Sequence, residues 1–264
     1  MRACRALQVA VAAARAGGAV LTARRFGDLE IAYKDARANL VTIADRQSQA
    51  AIVDVICDAF PGHAIVGEEG TTGDPRGEHV WYVDPLDGTT NYAHGLPYFC
   101  VSIAVRSAGD TAAGVVYDPV HDEMYAAARH EGATRNGEQL HVSGIARLDR
   151  ALIVAQAQSV DPAEIRAYAS LVERLMTVAG GVRSLGSPAL TLCAIATGRL
   201  EAYCEYAMDP WDIAAGQLIL EEAGGTLTGF DGRPHRTAAR TDVVASNGRI
   251  HSELLTALKG DNAL

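Results

Sequence analysis

The chain has 264 residues, 48% of them hydrophobic, with a formal net charge of −9 and a pI near 5.3. That length and apolar content support a substantial buried core and exclude a disordered chain. The acidic balance disfavours partners that select basic patches, so neither a nucleic-acid nor a membrane partner is expected, and a small ligand is.

The N-terminal stretch "MRACRALQVAVAAARAGGAVLTARRF" places arginines before an apolar run, as a targeting peptide does, but Arg15 interrupts that run. We therefore read an amphipathic first helix with Arg5, Arg15, Arg24 and Arg25 turned to water. No other segment approaches the roughly 20 uninterrupted apolar residues of a membrane span.

The segment "ANLVTIADRQSQAAIVDVICDAFPG" carries Ile43, Ala51, Ile52, Val55, Ile56 and Phe60 near helical spacing and stops at Pro61-Gly62. "HAIVGEEG" and "HVWYVDP" follow as short strands that each end in acid. From Phe99 to His141, β-rich runs broken at Ala108-Gly109-Asp110, Asp118-Pro119 and Asn136-Gly137 predict an antiparallel meander. Alternation then returns: strand "ALIVAQ", a helix from about Pro162 to Val178, helix "PALTLCAIATG", strand "LEAYCEY", helix "WDIAAGQLILEEAGG", strand "DVVASN" and a closing helix. A composition change near residues 142–150 divides one domain, 1–264, into two lobes, 1–145 and 146–264, the second contributing Asp212.

Cys4, Cys57, Cys100, Cys193 and Cys204 are odd in number and scattered without CxxC spacing, which favours neither a disulfide framework nor a zinc site. Buried thiols in a reducing, cytoplasmic setting are expected.

The chemistry gathers on acids. Glu68 and Glu69 in "VGEEG", Asp84 and Asp87 in "DPLDGTTN", and Asp212 in "DPWDIAAG" all lie at the end of an apolar run or in the first turn of a helix. Taken singly, each has a bland reading: Asp87 in an Asx turn, Asp212 at a helix start, the glutamates solvated. Three separate segments that each end an apolar run in acid, with no basic residue close in sequence, fit a divalent cation better, since magnesium takes carboxylates, waters and substrate phosphate. Gly88 permits close backbone approach, and the amides around Thr89 and Thr90 face the start of a following helix, a favourable place for phosphate.

"WYVDPLDGTTNY" and "WDIAAGQLILEEAGG", in that order and preceded by "GEE", resemble the two signatures of the inositol monophosphatase family, within the lithium-sensitive, magnesium-dependent phosphatases that include fructose-1,6-bisphosphatases. The likeness runs from Lys34 to "VVASN" near the end. It implies a layered αβαβα sandwich, of mixed α and β structure, with an antiparallel first sheet and a mixed second one. It also implies two or three magnesium ions held by Glu68, Asp84, the Leu86 carbonyl, Asp87 and Asp212, with lithium sensitivity. Asp45 and Thr89, with Glu68, are implied to orient the attacking water, and Lys34 to stand behind them. Asp87, Gly88, Thr89 and Asp212 are implied at the phosphate, and Gly186, Ser187 and Glu205 on the alcohol side. The resemblance further implies a homodimer acting on a small phosphorylated alcohol.

The leading expectation is hydrolysis of myo-inositol monophosphate by direct attack of water. Histidinol phosphate, fructose 1,6-bisphosphate and adenosine 3',5'-bisphosphate are the alternatives. Pro188 in the substrate loop and Asp209-Pro210 before Trp211 depart from the family pattern and bear on the alcohol, not the metals. A carboxylate-nucleophile phosphatase is disfavoured because Asp84 and Asp87 lack D-x-D spacing. A non-catalytic, metal-dependent binder of phosphorylated ligands is disfavoured because the water-orienting residues are all present.

Overall fold

The computed structural model describes residues 3–25, 32–33, 40–157, 159–235 and 240–259. In chain order the first half holds α1 (Ala3–Arg24), the two-residue strands β1 (Ala32–Tyr33) and β2 (Leu40–Val41), α2 (Ile43–Ala59), β3 (Ala64–Gly67), β4 (Gly70–Thr72), β5 (His79–Asp87) and the short α3 (Thr89–Ala93). The meander β6 (Cys100–Ser107), β7 (Asp110–Asp118), β8 (Glu123–Ala128), β9 (Ala133–Arg135) and β10 (Glu138–Gln139) follows. The second half holds β11 (Leu152–Gln156), α4 (Pro162–Val178), β12 (Gly181–Arg183), α5 (Pro188–Ala196), β13 (Ala202–Met208), α6 (Pro210–Glu222), β14 (Thr226–Thr228), β15 (Thr241–Ser246) and α7 (His251–Lys259).

Eight strands form the first sheet in the order β10-β9-β8-β7-β6-β5-β3-β4, and five form the second in the order β12-β11-β13-β15-β14. The first is antiparallel except where β3 runs parallel to β5. The second is mixed, with β11 parallel to β12 and β13 while β13 and β14 run antiparallel to β15. Ala108-Gly109 and Asn136-Gly137 are two-residue hairpin loops with both residues at positive φ, so the meander turns where its Gly and Asn signals placed them.

The layers follow from alternation along the strands. In β5, Trp81 and Val83 face a core shared with α1 and α2, while Val80 and Tyr82 face a second core shared with α5, α6 and the inner face of the second sheet. Ile153, Ala155, Cys204 and Val244 face outward from that second sheet onto α4 and α7, forming a third core. The result is the five-layer αβαβα order, with α5 and α6 between the sheets.

The first helix is long and apolar enough to cross a membrane by length and composition. Here its small-residue face, Ala6, Ala10, Ala13, Ala14, Gly17 and Gly18, is buried in the core under α2 and the first sheet. A Cβ on Gly18 would stand 2.6 Å from the Tyr117 ring, which is how closely α1 lies on β7. Arg5 and Arg15 are exposed as expected, but Arg24 and Arg25 are half-buried. Arg24 Nε donates to Gln47 Oε1 at 2.9 Å and the Arg25 guanidinium lies over the Phe99 ring, so α2 and the start of the meander draw both away from water. All five cysteines are free; Cys100, Cys193 and Cys204 are buried, whereas Cys4 is exposed and Cys57 half-buried, because both lie toward the outer side of the first layer.

Candidate active site

Asp84 and Asp87 are three residues apart, and strict alternation would point them to opposite faces of β5. The register shows why they do not diverge: Asp84 pairs with Ser102 and Asp87 with Cys100, so two residues of β5 oppose one of β6 between them. This bulge returns Asp87 to the side of Asp84. Pro85 sits in the bulge, where its missing N–H breaks no regular ladder, and Leu86 turns its side chain into the opposite core. Both carboxylates therefore face the layer between the sheets.

Asp212 arrives in the first turn of α6 from that layer, and Glu68 follows β3, its amide donating to Val83 O at 3.1 Å. Asp84 is buried, and its carboxyl is held well above the usual range by burial first, then by the like charges of Glu68, Asp87 and Asp212. Burial raises Asp212 well above that range too, and Asp87 to about 7.

One oxygen of each aspartate is committed to backbone. Asp84 Oδ1 accepts from Leu86 N at 2.9 Å, Asp87 Oδ2 from Ala189 N at 2.8 Å, and Asp212 Oδ2 from Asp209 N at 2.8 Å. Among the described residues the other oxygen of each accepts no hydrogen bond. Buried, mutually repelling carboxylates with one oxygen apiece to spare are the donor set of a hard divalent cation. Among the described residues, no group of three such side chains stands ready-made as a ligand cage. Such a set leaves the rest of a divalent cation's shell to water and phosphate oxygens.

Beside the cluster, Asp45 is the third residue of α2 and closes its capping box: Oδ2 accepts from Thr42 N and Thr42 Oγ1, each at 2.7 Å. Its Oδ1 accepts from Thr89 Oγ1 at 3.1 Å, and the same hydroxyl lies 3.0 Å from Leu86 O. The capping box fixes the carboxylate that the threonine meets. Lys34 lies outside the described residues.

Gly88 has φ +93, and a Cβ there would meet Tyr98 O at 2.9 Å and Gly186 O at 3.3 Å. Gly186, at φ +80, is packed as closely on Asn91. Asn91 Nδ2 donates to Leu185 O and to Tyr98 O, both at 2.8 Å, tying the two loops together. Ser187 is fully buried, and its hydroxyl donates to Asp87 Oδ2 at 2.6 Å. Glu205 is buried in the middle of β13, takes a hydrogen bond from the Tyr203 hydroxyl, and is pushed up to about 7 by burial.

The structure thus brings Asp45, Glu68, Asp84, Leu86, Asp87, Gly88, Thr89, Ser187 and Asp212 to one region, with Gly186 directly behind and Glu205 sharing β13 with the inner core. Three supporting residues carried no sequence signal. Gln49 of α2 accepts from Glu69 N at 3.0 Å and steadies the turn after β3; Ser48 donates to Pro85 O at 2.9 Å; Gln156 Oε1 accepts from Gly186 N at 2.9 Å. Each acts across a wide sequence separation, so nothing in its neighbours marks it.

The sequence model of the inositol monophosphatase family matches residues 4–262. The chain is 38% identical over 258 residues to an inositol-1-monophosphatase of Synechocystis sp., covering 96% of this chain and 88% of that one. It is 37% identical over 262 residues to the Nus factor SuhB of Pseudomonas aeruginosa, covering 96% and 95%. A solved structure of inositol monophosphatase from Anabaena (Nostoc) sp. superposes with a TM-score of 0.85 at 40% identity, over 96% of this chain and 94% of that one.

Proposed function

The chain belongs to the inositol monophosphatase family and is a phosphoric monoester hydrolase, and we propose that it hydrolyses myo-inositol monophosphate in a magnesium-dependent reaction. The Thr89–Asp45 hydrogen bond at the edge of the carboxylate cluster carries this reading, because it sets a proton acceptor beside a cation site. We assign Glu68, Asp84, the Leu86 carbonyl, Asp87 and Asp212 to hold two or three ions. When bound, these supply positive charge that eases deprotonation of water and stabilises charge on the phosphate and leaving oxygens.

The chain's own part is positional. Thr89 has one hydroxyl proton and gives it to Asp45 or to Leu86 O, so its lone pair is left to accept from a water. As that water attacks phosphorus, its proton passes to Thr89 Oγ1 while the threonine's own passes to Asp45 Oδ1 and Glu68 orients the same water; the ester P–O bond breaks, and the leaving alkoxide takes a proton from solvent water to depart as the alcohol. No enzyme–phosphate bond forms. The amides of Gly88 and Thr89 receive the phosphate oxygens, and Lys34 stands behind the pair on the resemblance.

The alcohol side supports a polyol. Glu205 can accept from vicinal hydroxyls once it is ionised and its Tyr203 bond is exchanged. Histidinol phosphate is the runner-up, since a cationic alcohol also suits a carboxylate, and fructose 1,6-bisphosphate and adenosine 3',5'-bisphosphate follow. The designation Nus factor belongs to the Pseudomonas relative; for this chain, with net charge −9 and the set Asp45, Glu68 and Thr89 intact, we keep the catalytic reading. Lithium inhibition, a cytoplasmic setting, two lobes at 1–145 and 146–264 and a homodimer complete the proposal. Ile165 and Met176, exposed on the outer face of α4, offer an apolar surface that a second copy could cover. A panel of kcat/KM values over the four phosphate esters, with magnesium present and withdrawn, tests the substrate: a preference for histidinol phosphate above about tenfold, about 1.4 kcal/mol, would displace inositol phosphate.

A further inference from the structure

Ser187 sits in the "GSPA" loop that resembles a substrate-side element, yet it is fully buried and its hydroxyl proton is committed to Asp87. Asp87 Oδ2 receives three donors: Ser187 Oγ at 2.6 Å, Ala189 N at 2.8 Å and the Cys100 thiol at 3.5 Å. A carboxylate oxygen offers about two in-plane lone pairs, so Oδ2 is saturated. Oδ1 accepts no hydrogen bond among the described residues. The donors therefore decide which oxygen is left for an ion.

The loop that brings these donors is itself held firmly. Pro188 occupies the first turn of α5, where its missing N–H costs nothing, and Ala189 is the next residue, with an N–H free to meet Asp87. The Ser187 carbonyl accepts from Thr191 N at 3.0 Å and Thr191 Oγ1 at 2.7 Å. Gly186 N is caught by Gln156 Oε1 at 2.9 Å from the second sheet, and Leu185 O by Asn91 of α3. Asp87 is thus capped from across the fold by the start of α5.

We propose that Ser187 is a positioning residue for the metal site and not a substrate contact: its hydroxyl, with Ala189 N–H, fixes the Asp87 carboxylate so that Oδ1 alone is presented to a divalent cation. This rests on the reading of Asp87 as a metal ligand. It also gives the Pro188 departure a local reason, since proline in the first helical turn stiffens the loop that carries both donors.

Calorimetric titration of magnesium chloride into the metal-stripped full-length protein, without substrate, tests it. Ser187→Ala should weaken magnesium binding about tenfold, a hydrogen bond to a charged group, with Ser187→Thr restoring it because the hydroxyl returns. Ser187→Cys, near in size and a weaker donor, should fall between and keeps the test decisive if the alanine variant does not fold. At saturating magnesium the KM for myo-inositol monophosphate should be unchanged. Unchanged magnesium affinity in Ser187→Ala and Ser187→Cys, with KM raised, would overturn the inference and return Ser187 to the substrate. Failure of the wild type to bind magnesium would overturn the reading of Asp87 itself, and the inference with it.

Discussion

The Thr89 hydroxyl lies 3.1 Å from Asp45 Oδ1, joining the first residue of α3 to a carboxylate whose other oxygen caps α2. The pair is held on both sides by backbone, so its geometry belongs to the fold and not to a bound ligand.

Removing the hydroxyl should therefore act on the chemical step. Thr89→Ala is expected to lower kcat by about 10²–10⁴ with little change in KM, and Thr89→Ser to retain most of the rate. Steady-state kinetics at saturating magnesium checks this; a raised KM with unchanged kcat would assign Thr89 to binding instead.

Asp87→Asn keeps the shape and removes the charge. It should reduce turnover at least about 100-fold, consistent with several kcal/mol of cation-supplied stabilisation, while the circular dichroism spectrum is preserved. Wild-type-like activity at millimolar magnesium would refute the assignment.

Gly88→Ala places a Cβ 2.9 Å from Tyr98 O at φ +93. The left-handed conformation alone costs about 1–2 kcal/mol for an L side chain, so a fall in Tm of at least about 2–8 °C is expected, with loss of kcat because the loop onto Gly186 must shift. Unchanged Tm and kcat would show that the two loops are free to separate.

Glu205 gives a pH test on a residue outside the assigned metal ligands. Burial lifts its folded pKa from 4.5 to about 7. A raised acid contributes stability that is fully present below its unfolded value and is lost as pH climbs through the folded one. Glu205→Gln removes that loss, so its Tm relative to wild type should improve between about pH 4.5 and 7 and then level off. A difference independent of pH would mean the carboxyl is not buried as described.

Much of this site was legible in the residues, and the reasons differ by residue. Asp84 and Asp87 were visible because they end an apolar run, Asp212 because it stands in the first turn of a helix, and the turns of the meander because Asn136-Gly137 and Ala108-Gly109 are hairpin signals. The bulge that aligns Asp84 with Asp87 was not visible, since it exists only in the pairing of β5 with β6. Ser187 lies 100 residues from its partner Asp87, a separation no local pattern reports. The three-residue strands β4, β12 and β14 escaped because they are shorter than the runs that show alternation. The arginines at 24 and 25 were placed in water by helical spacing alone; Gln47 and Phe99, from other segments, hold them in.

Phosphate release from myo-inositol monophosphate, followed as magnesium is titrated into metal-stripped protein, decides whether the site is that of a cation-dependent phosphatase. No release is expected without the metal, saturable release with it, and loss of that response in Asp87→Asn. Release that is indifferent to magnesium, or none at any concentration from any of the four esters, would contradict that reading of the site.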